Sequence, residues 1–208
     1  MEKPSLGNSP SVYEPAEDSE MLAEIVAREA LARGFVLDVG TGSGLQAITA
    51  ALKPSVKSVV ATDVNREALK LAHKNAAANG AGVAKKIRFV ESDLFARVRK
   101  PHGGFDCVVF NPPYLPASAE EKIPGFIGKA FDGGGARGRR VTERFLKGVK
   151  RFLKTGGVVL LVQSSLSGYP KTVRALESKD FDCEIAARRR FFFEEIVVVK
   201  AVLKAGMR

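Results

Sequence analysis

Short apolar runs and longer helical stripes take turns along this chain. Phe35–Val39, Ser58–Thr62, Ile87–Glu91, Phe105–Phe110 and Val158–Gln163 are rich in Val, Ile, Leu and Phe and read as buried strands. Between them Leu45–Leu52, Arg66–Asn79, Val141–Lys154 and Pro170–Ser178 read as helices. Gly80 ends the second of these, and Gly156-Gly157 ends the third. An earlier amphipathic helix is predicted over Pro15–Arg33, with Met21, Leu22, Ile25, Val26 and Leu31 on one side. Pro15 suits its first turn and Gly34 its stop. At the far end Phe181–Ala187 and Glu195–Leu203 are joined only through Arg188–Phe193, so they predict an antiparallel hairpin. The alternation predicts an α/β fold: a doubly wound, three-layer sandwich with seven strands, mostly parallel, one of them antiparallel near the C-terminus. Residues 1–14 read as a polar, flexible tail on a single domain spanning 1–208. Residues 112–137, rich in Pro and Gly, read as a long loop of the kind that carries function.

Composition narrows the class. With 208 residues, 45% hydrophobic and 27% charged, the chain is globular. The start, Met1 to Asn8, lacks an apolar leader, and no apolar run reaches membrane-spanning length. Cys107 and Cys183 lie in expected strands and read as buried free thiols of a cytoplasmic protein, and no zinc spacing occurs. With only His73, expected exposed on a helix, and His102, a histidine triad or metal centre is not expected. The net charge is +10 and uneven. Residues 1–100 hold 14 Lys/Arg against 12 Asp/Glu; residues 101–208 hold 19 against 11. A basic half fits an acidic partner or nearby RNA. The stripe Arg144, Lys147, Lys150, Arg151 and Lys154 reads more simply as a solvated helix face.

Candidate chemistry gathers at strand ends. Asp38-Val39-Gly40-Thr41-Gly42-Ser43-Gly44 closes the first strand and opens a helix. Its glycines let backbone approach a ligand, and helix N–H groups would point at the ligand's negative end. Gly42 to Ala47 fits G-x-G-x-x-A, and Asp63 follows Gly42 by 21 residues, the spacing of a dinucleotide site. Three features favour S-adenosylmethionine over a nicotinamide cofactor. Asp38 would face an ammonium group but would repel a pyrophosphate. Asp93 after the third strand can accept from an adenine amino group, with Leu94 on the ring. Asn111-Pro112-Pro113-Tyr114 ends the fourth strand, where a methyl acceptor would sit. In either case Asp63 holds ribose hydroxyls. Pro112 and Pro113 stiffen the chain and offer carbonyls without N–H donors. Asn111 adds a side-chain acceptor, and Tyr114 adds an aromatic face with a polar tip. Such a slot suits a planar NH2 group.

Together these residues resemble class I methyltransferases of the HemK type, which methylate the glutamine side-chain amide of the Gly-Gly-Gln motif in translation release factors. Val12-Tyr13-Glu14-Pro15-Ala16-Glu17-Asp18-Ser19 is similar to the entry segment of the archaeal and eukaryotic branch. Bacterial members carry a separate N-terminal helical domain, for which this length leaves no room. The resemblance covers about residues 12–203. It implies a Rossmann-like fold and a cofactor held by Ser19, Asp38, Gly40, Asp63, Asp93 and Leu94. It also implies a glutamine amide held by Asn111 and the Pro112 carbonyl, with Pro113 and Tyr114 alongside. It further implies a small zinc-binding activator paired with the sheet edge, here near Ile87–Glu91. The stretch Phe131 to Arg140 departs from the family pattern. Arg137, Arg139 and Arg140 are inserted there, to bind an acidic or RNA-rich surface or simply to be solvated. Two other acceptors remain open: an exocyclic amino group of a nucleic-acid base, and a protein lysine.

Overall fold

A computed structural model describes residues 3–28, 32–114, 133–134 and 138–205. The sheet is built from β1 (Gly34–Val39), β2 (Val56–Asp63), β3 (Ile87–Glu91), β4 (Phe105–Phe110), β5 (Leu153–Ser164), β6 (Phe181–Arg190) and β7 (Glu195–Leu203). Their order is β3-β2-β1-β4-β5-β7-β6. β7 is inserted between β5 and β6 and runs antiparallel to both; the other pairs are parallel. The expected single reversed strand is therefore β7.

Period-two alternation splits the strand side chains between two cores. Val36, Cys107, Val109, Leu160, Val162 and Val198 face one layer, where α1 (Glu17–Arg28), α2 (Leu45–Ala51) and α4 (Ala81–Lys86) pack with Met21, Leu22, Ile48 and Val83. Leu37, Val39, Val108, Phe110, Leu161 and Val199 face the other, covered by Phe145 and Leu146 of α5 (Arg140–Gly148) and Leu176 of α6 (Tyr169–Glu177). Burial on both faces is why these strands read as unbroken apolar runs. Helix α3 (Arg66–Ala78) is capped by Asn65, whose side chain accepts from the Glu67 N–H.

Several local expectations are corrected. The first helix begins at Glu17, after Pro15, and is described to Arg28; Leu31 lies outside the described residues. Gly34 opens β1 instead of ending a helix. Its φ is +60°, and a Cβ there would collide with the Asp106 carboxylate, which accepts the Phe35 N–H. The expected helix Val141–Lys154 ends at Gly148, tightens into a 3-10 turn over Val149–Phe152, and gives way to β5. Phe95 explains the break. Its ring stacks on Phe145 and Phe152, and the Phe145 neighbour, Gly148, leaves space for it. Gly156-Gly157 lies inside β5, where the register against β4 slips. Helix α4 went unread because only Val83 of its six residues is buried. Cys107 is buried as expected, whereas Cys183 is only partly so.

The expected loose tail runs along α3. Val12 packs with Ala68 and Leu71. Backbone N–H groups of Ser5 and Gly7 donate to Asn79 and Asn75, and Asn65 Nδ2 donates to the Ser11 carbonyl. Of the expected arginines, Arg137 lies outside the described residues and Arg140 is exposed. Arg139 is buried: it donates to the carbonyls of Ser167 and Gly168 and to Thr172 Oγ1, tying the start of α5 to the start of α6. The basic stripe is largely paired: Arg144 with Asp93, Lys150 with Asp180, Lys154 with Asp106. Among the described residues no helix is long and apolar enough to cross a membrane.

Candidate active site

The carboxyl ends of β3, β2, β1 and β4 stand side by side and open onto a cavity of about 690 Å³. Open α/β sheets bind ligands at this edge, where strand order reverses. Ser19, Asp38, Gly40, Gly42, Asp63, Asp93, Leu94, Asn111 and Pro113 all line the cavity. Gly44, Pro112 and Tyr114 do not reach its wall. Gly44 caps α2 in the left-handed region, and a Cβ on it would press into Ala72 of α3. Gly42 is also left-handed, and a Cβ there would meet nothing within 4 Å, because the space beyond is cavity.

The acidic residues are held in different ways. Asp38 is 1% exposed, and its Oδ2 accepts from Thr41 Oγ1 (2.6 Å) and the Ala47 N–H (3.1 Å). Burial pushes its pKa up to about 7, against the pull of those two hydrogen bonds. The α2 N–H of Ala47 is thus already taken by a carboxylate of the protein, which places a negative charge at the start of that helix. That arrangement disfavours a pyrophosphate and leaves Oδ1 for a cation. Asp63 accepts from the N–H groups of Gly42 (3.0 Å) and Asn65 (2.9 Å), one on each oxygen. Burial nevertheless raises its pKa. Asp93 is half-exposed and engages Arg144 at 2.7 Å through Oδ2.

One of the two residues that sequence reading missed as site members is Asp18. It sits in the first turn of α1, 5% exposed. Its Oδ1 accepts from Tyr13 Oη (3.1 Å), the Ser19 N–H (2.6 Å) and Ser19 Oγ (3.1 Å). Its Oδ2 accepts from Asn111 Nδ2 and Tyr114 Oη, both at 3.0 Å. Burial first, and the Asp18 carboxylate second, hold both phenols well above their ordinary range, so they remain donors. Tyr114 is therefore anchored by its hydroxyl to Asp18 and packs on the core.

This carboxylate decides which way Asn111 points. Asp18 only accepts, so the Asn111 NH2 must face it; Nδ2 also donates to Ser19 Oγ at 3.0 Å. Asn111 Oδ1 is turned the other way, is buried, and has no hydrogen-bond partner among the described residues. An orphaned buried acceptor costs about 1–3 kcal/mol and marks a place for a donor. Gln46, also missed, is similar: its Nε2 donates to the Ser19 carbonyl, and its Oε1 is a buried orphan on the cavity wall.

The sheet order with its reversed strand and the cavity behind a glycine loop define a Rossmann-like methyltransferase. The chain belongs to the methyltransferase small domain family, whose model matches residues 11–193. It is 43% identical over 192 residues to a protein of Methanocaldococcus jannaschii named as a protein N5-glutamine methyltransferase, covering 92% of each chain. It is 37% identical over 160 residues to the release factor glutamine methyltransferase of Koribacter versatilis; the match covers 74% of this chain and 55% of that relative's length. Among solved structures it is similar to the Mtq2–Trm112 complex of E. cuniculi, described as responsible for methylation of the eRF1 translation termination factor. The TM-score is 0.70 at 29% identity, over 93% of this chain and 99% of that one.

Proposed function

We propose that this methyltransferase modifies the side-chain amide nitrogen of the glutamine in the Gly-Gly-Gln motif of a translation release factor, with S-adenosylmethionine as methyl donor. The observation that carries the reading is the orphaned Asn111 Oδ1, an oriented acceptor lacking only an N–H. The names of the relatives and of the Mtq2–Trm112 neighbour support the substrate.

The residues present fit the donor. Gly40 and Gly42 leave a backbone-lined wall, Asp63 retains lone pairs for ribose hydroxyls, and the spare oxygen of Asp38 and the orphaned Gln46 Oε1 suit an ammonium group. Ser19 lies beside them, and Asp93 and Leu94 border the adenine end. When bound, S-adenosylmethionine supplies a methyl group activated by its sulfonium. An amide nitrogen is a poor nucleophile, so the protein's task is alignment. Asn111 Oδ1, on the cavity wall, accepts one amide hydrogen. The Pro112 carbonyl, just behind that wall, accepts the other as the glutamine side chain enters, so that the nitrogen's plane is fixed. Positioning of this kind is worth roughly 7–11 kcal/mol in favourable cases. Both acceptors gain strength as charge develops on the NH2 group.

Release factors act in the cytoplasm, and we place the enzyme there. A small zinc-binding activator fits the edge strand β3, whose residues after Ile87 are partly exposed. The test is transfer of tritiated methyl groups to purified release factor and, in parallel, to total RNA. Label in the factor at glutamine is expected; label in RNA alone would overturn the assignment. Asn111→Ala should lower turnover by about 10²-fold or more while S-adenosylhomocysteine still binds. Turnover close to wild type would remove Asn111 from its central place.

A further inference from the structure

The β6–β7 hairpin ends in three phenylalanines that the core does not use. Phe192 is 93% exposed and Phe193 86%, and their rings meet edge to face with centroids 4.8 Å apart. Large apolar side chains left together in water mark an interaction surface. The tip is braced. The Phe191 N–H donates to the Glu194 carbonyl at 2.7 Å. Glu195 pairs with Arg188 and Arg190, accepts from Tyr169 Oη, and exchanges two hydrogen bonds with Ser165. The rings are thus presented on a built support.

The position of the tip follows from strand register. Phe110, the last residue of β4, pairs with Leu161, and Leu161 pairs with Val199. Ile196 lies opposite Ser164, three residues further along β5, so the residues before it project past the carboxyl edge. Asn111 leaves the same edge two strand positions away, about 10 Å laterally. The negative charge of Glu194 also acts on Tyr114, and its Oε1 is a buried acceptor with no hydrogen-bond partner among the described residues.

We propose that this hairpin tip is the docking surface for the polypeptide that carries the methyl-accepting amide, with Phe192 and Phe193 seated in an apolar patch of that protein beside its glutamine. The proposal rests on the glutamine reading above. Charge decides the occupant. Rings that stack on nucleic-acid bases work beside cations that hold phosphates. Here Arg188 and Arg190 are both paired to Glu195, and across residues 188–195 three arginines stand against two glutamates, a net charge of only +1 that gives a phosphate chain little to hold. Paired aromatic anchors inside a polar rim are the make-up of a protein–protein hot spot.

The test is the double variant Phe192→Ser, Phe193→Ser, assayed for methyl transfer to the intact release factor and to a short peptide containing Gly-Gly-Gln. For the intact factor kcat/KM should fall by about tenfold or more, with the loss in KM. For the peptide it should stay within about twofold, and S-adenosylhomocysteine should bind as in the wild type. Equal kcat/KM for the factor in variant and wild type would overturn the docking role alone. A parallel loss on factor and peptide would do the same, by showing damage to the site. So would a variant whose only change is lost RNA binding, or a wild-type dimer in light scattering that becomes an equally active monomer. No label in the factor from the wild-type enzyme would overturn the glutamine reading and the docking proposal with it.

Discussion

At the scale of single residues, one carboxylate organises the acceptor side of the site. Asp18 collects five hydrogen bonds, two of them from the Asn-Pro-Pro-Tyr segment more than 90 residues away. Asp18→Asn turns one acceptor oxygen into a donor, so either the Oδ1 group or the Oδ2 group of bonds is lost. The expected result is a loss of about 1–3 kcal/mol in urea unfolding, together with a drop in kcat that exceeds any change in S-adenosylhomocysteine affinity. Asp38 gives a prediction with a definite sign. Its folded pKa of about 7 lies above its unfolded value, so the folded state holds the proton longer. Its contribution to stability therefore falls as pH rises from about 4 to 7. Wild type minus Asp38→Asn should accordingly lose stability on the order of 4 kcal/mol across that window. Binding of a cationic amino-acid moiety needs the ionised form. S-adenosylhomocysteine affinity should then rise about tenfold from pH 6 to 8 in the wild type and stay flat in Asp38→Asn, as titration calorimetry can check. Asp38, Asp63 and Asn111 were legible because each sits next to a strand end or a glycine loop. Asp18 was not: Glu17-Asp18-Ser19-Glu20 reads as an ordinary acidic first turn, and nothing local shows that its partners come from β4.

At the scale of elements, periodicity found what packing on two faces enforces, and missed what a single neighbour decides. The strand runs β3, β4 and β7 matched their expected bounds because both faces of the sheet are covered. The helix before β5 was overextended because Val149, Phe152 and Leu153 continue an apolar spacing that the backbone does not follow. Phe95, some fifty residues earlier, selects the break through Gly148. That account is testable. A Cβ on Gly148 would come within 2.8 Å of Phe95 Cδ2, and that ring is held between Phe145 and Phe152. Gly148→Ala should therefore destabilise by about 1–3 kcal/mol in urea unfolding, although alanine is the better helix former. In a Phe95→Leu background the same change should become neutral or stabilising by up to about 1 kcal/mol. An equal penalty in both backgrounds would place the cause of the break elsewhere.

At the scale of the whole molecule, the sheet holds three surfaces apart: a free edge strand, a cavity and an aromatic hairpin. β3 and β6 form its two edges, six strand spacings or about 29 Å apart. The cavity opens above the ends of β3, β2, β1 and β4, and the aromatic hairpin rises at the other end of the sheet. Part of the basic excess is used within the fold: Arg139 is buried, and Arg144, Lys150, Lys154 and Arg190 are paired to carboxylates. Distance has a consequence for assembly. A small activator adding a strand to β3 would cover its free backbone groups, which are otherwise an invitation to pairing with a second chain. That partner would stand clear of a substrate docked on the β6–β7 tip. Activator and release factor should then bind together instead of competing. Hydrogen exchange offers the check: amides of 87–91 should gain protection when the activator is added, and keep it when the factor is present as well. Protection at 191–195 should appear only with the factor. Loss of the β3 signal on adding the factor would mean that the two proteins share one surface, and the division of the sheet into separate edges would fail.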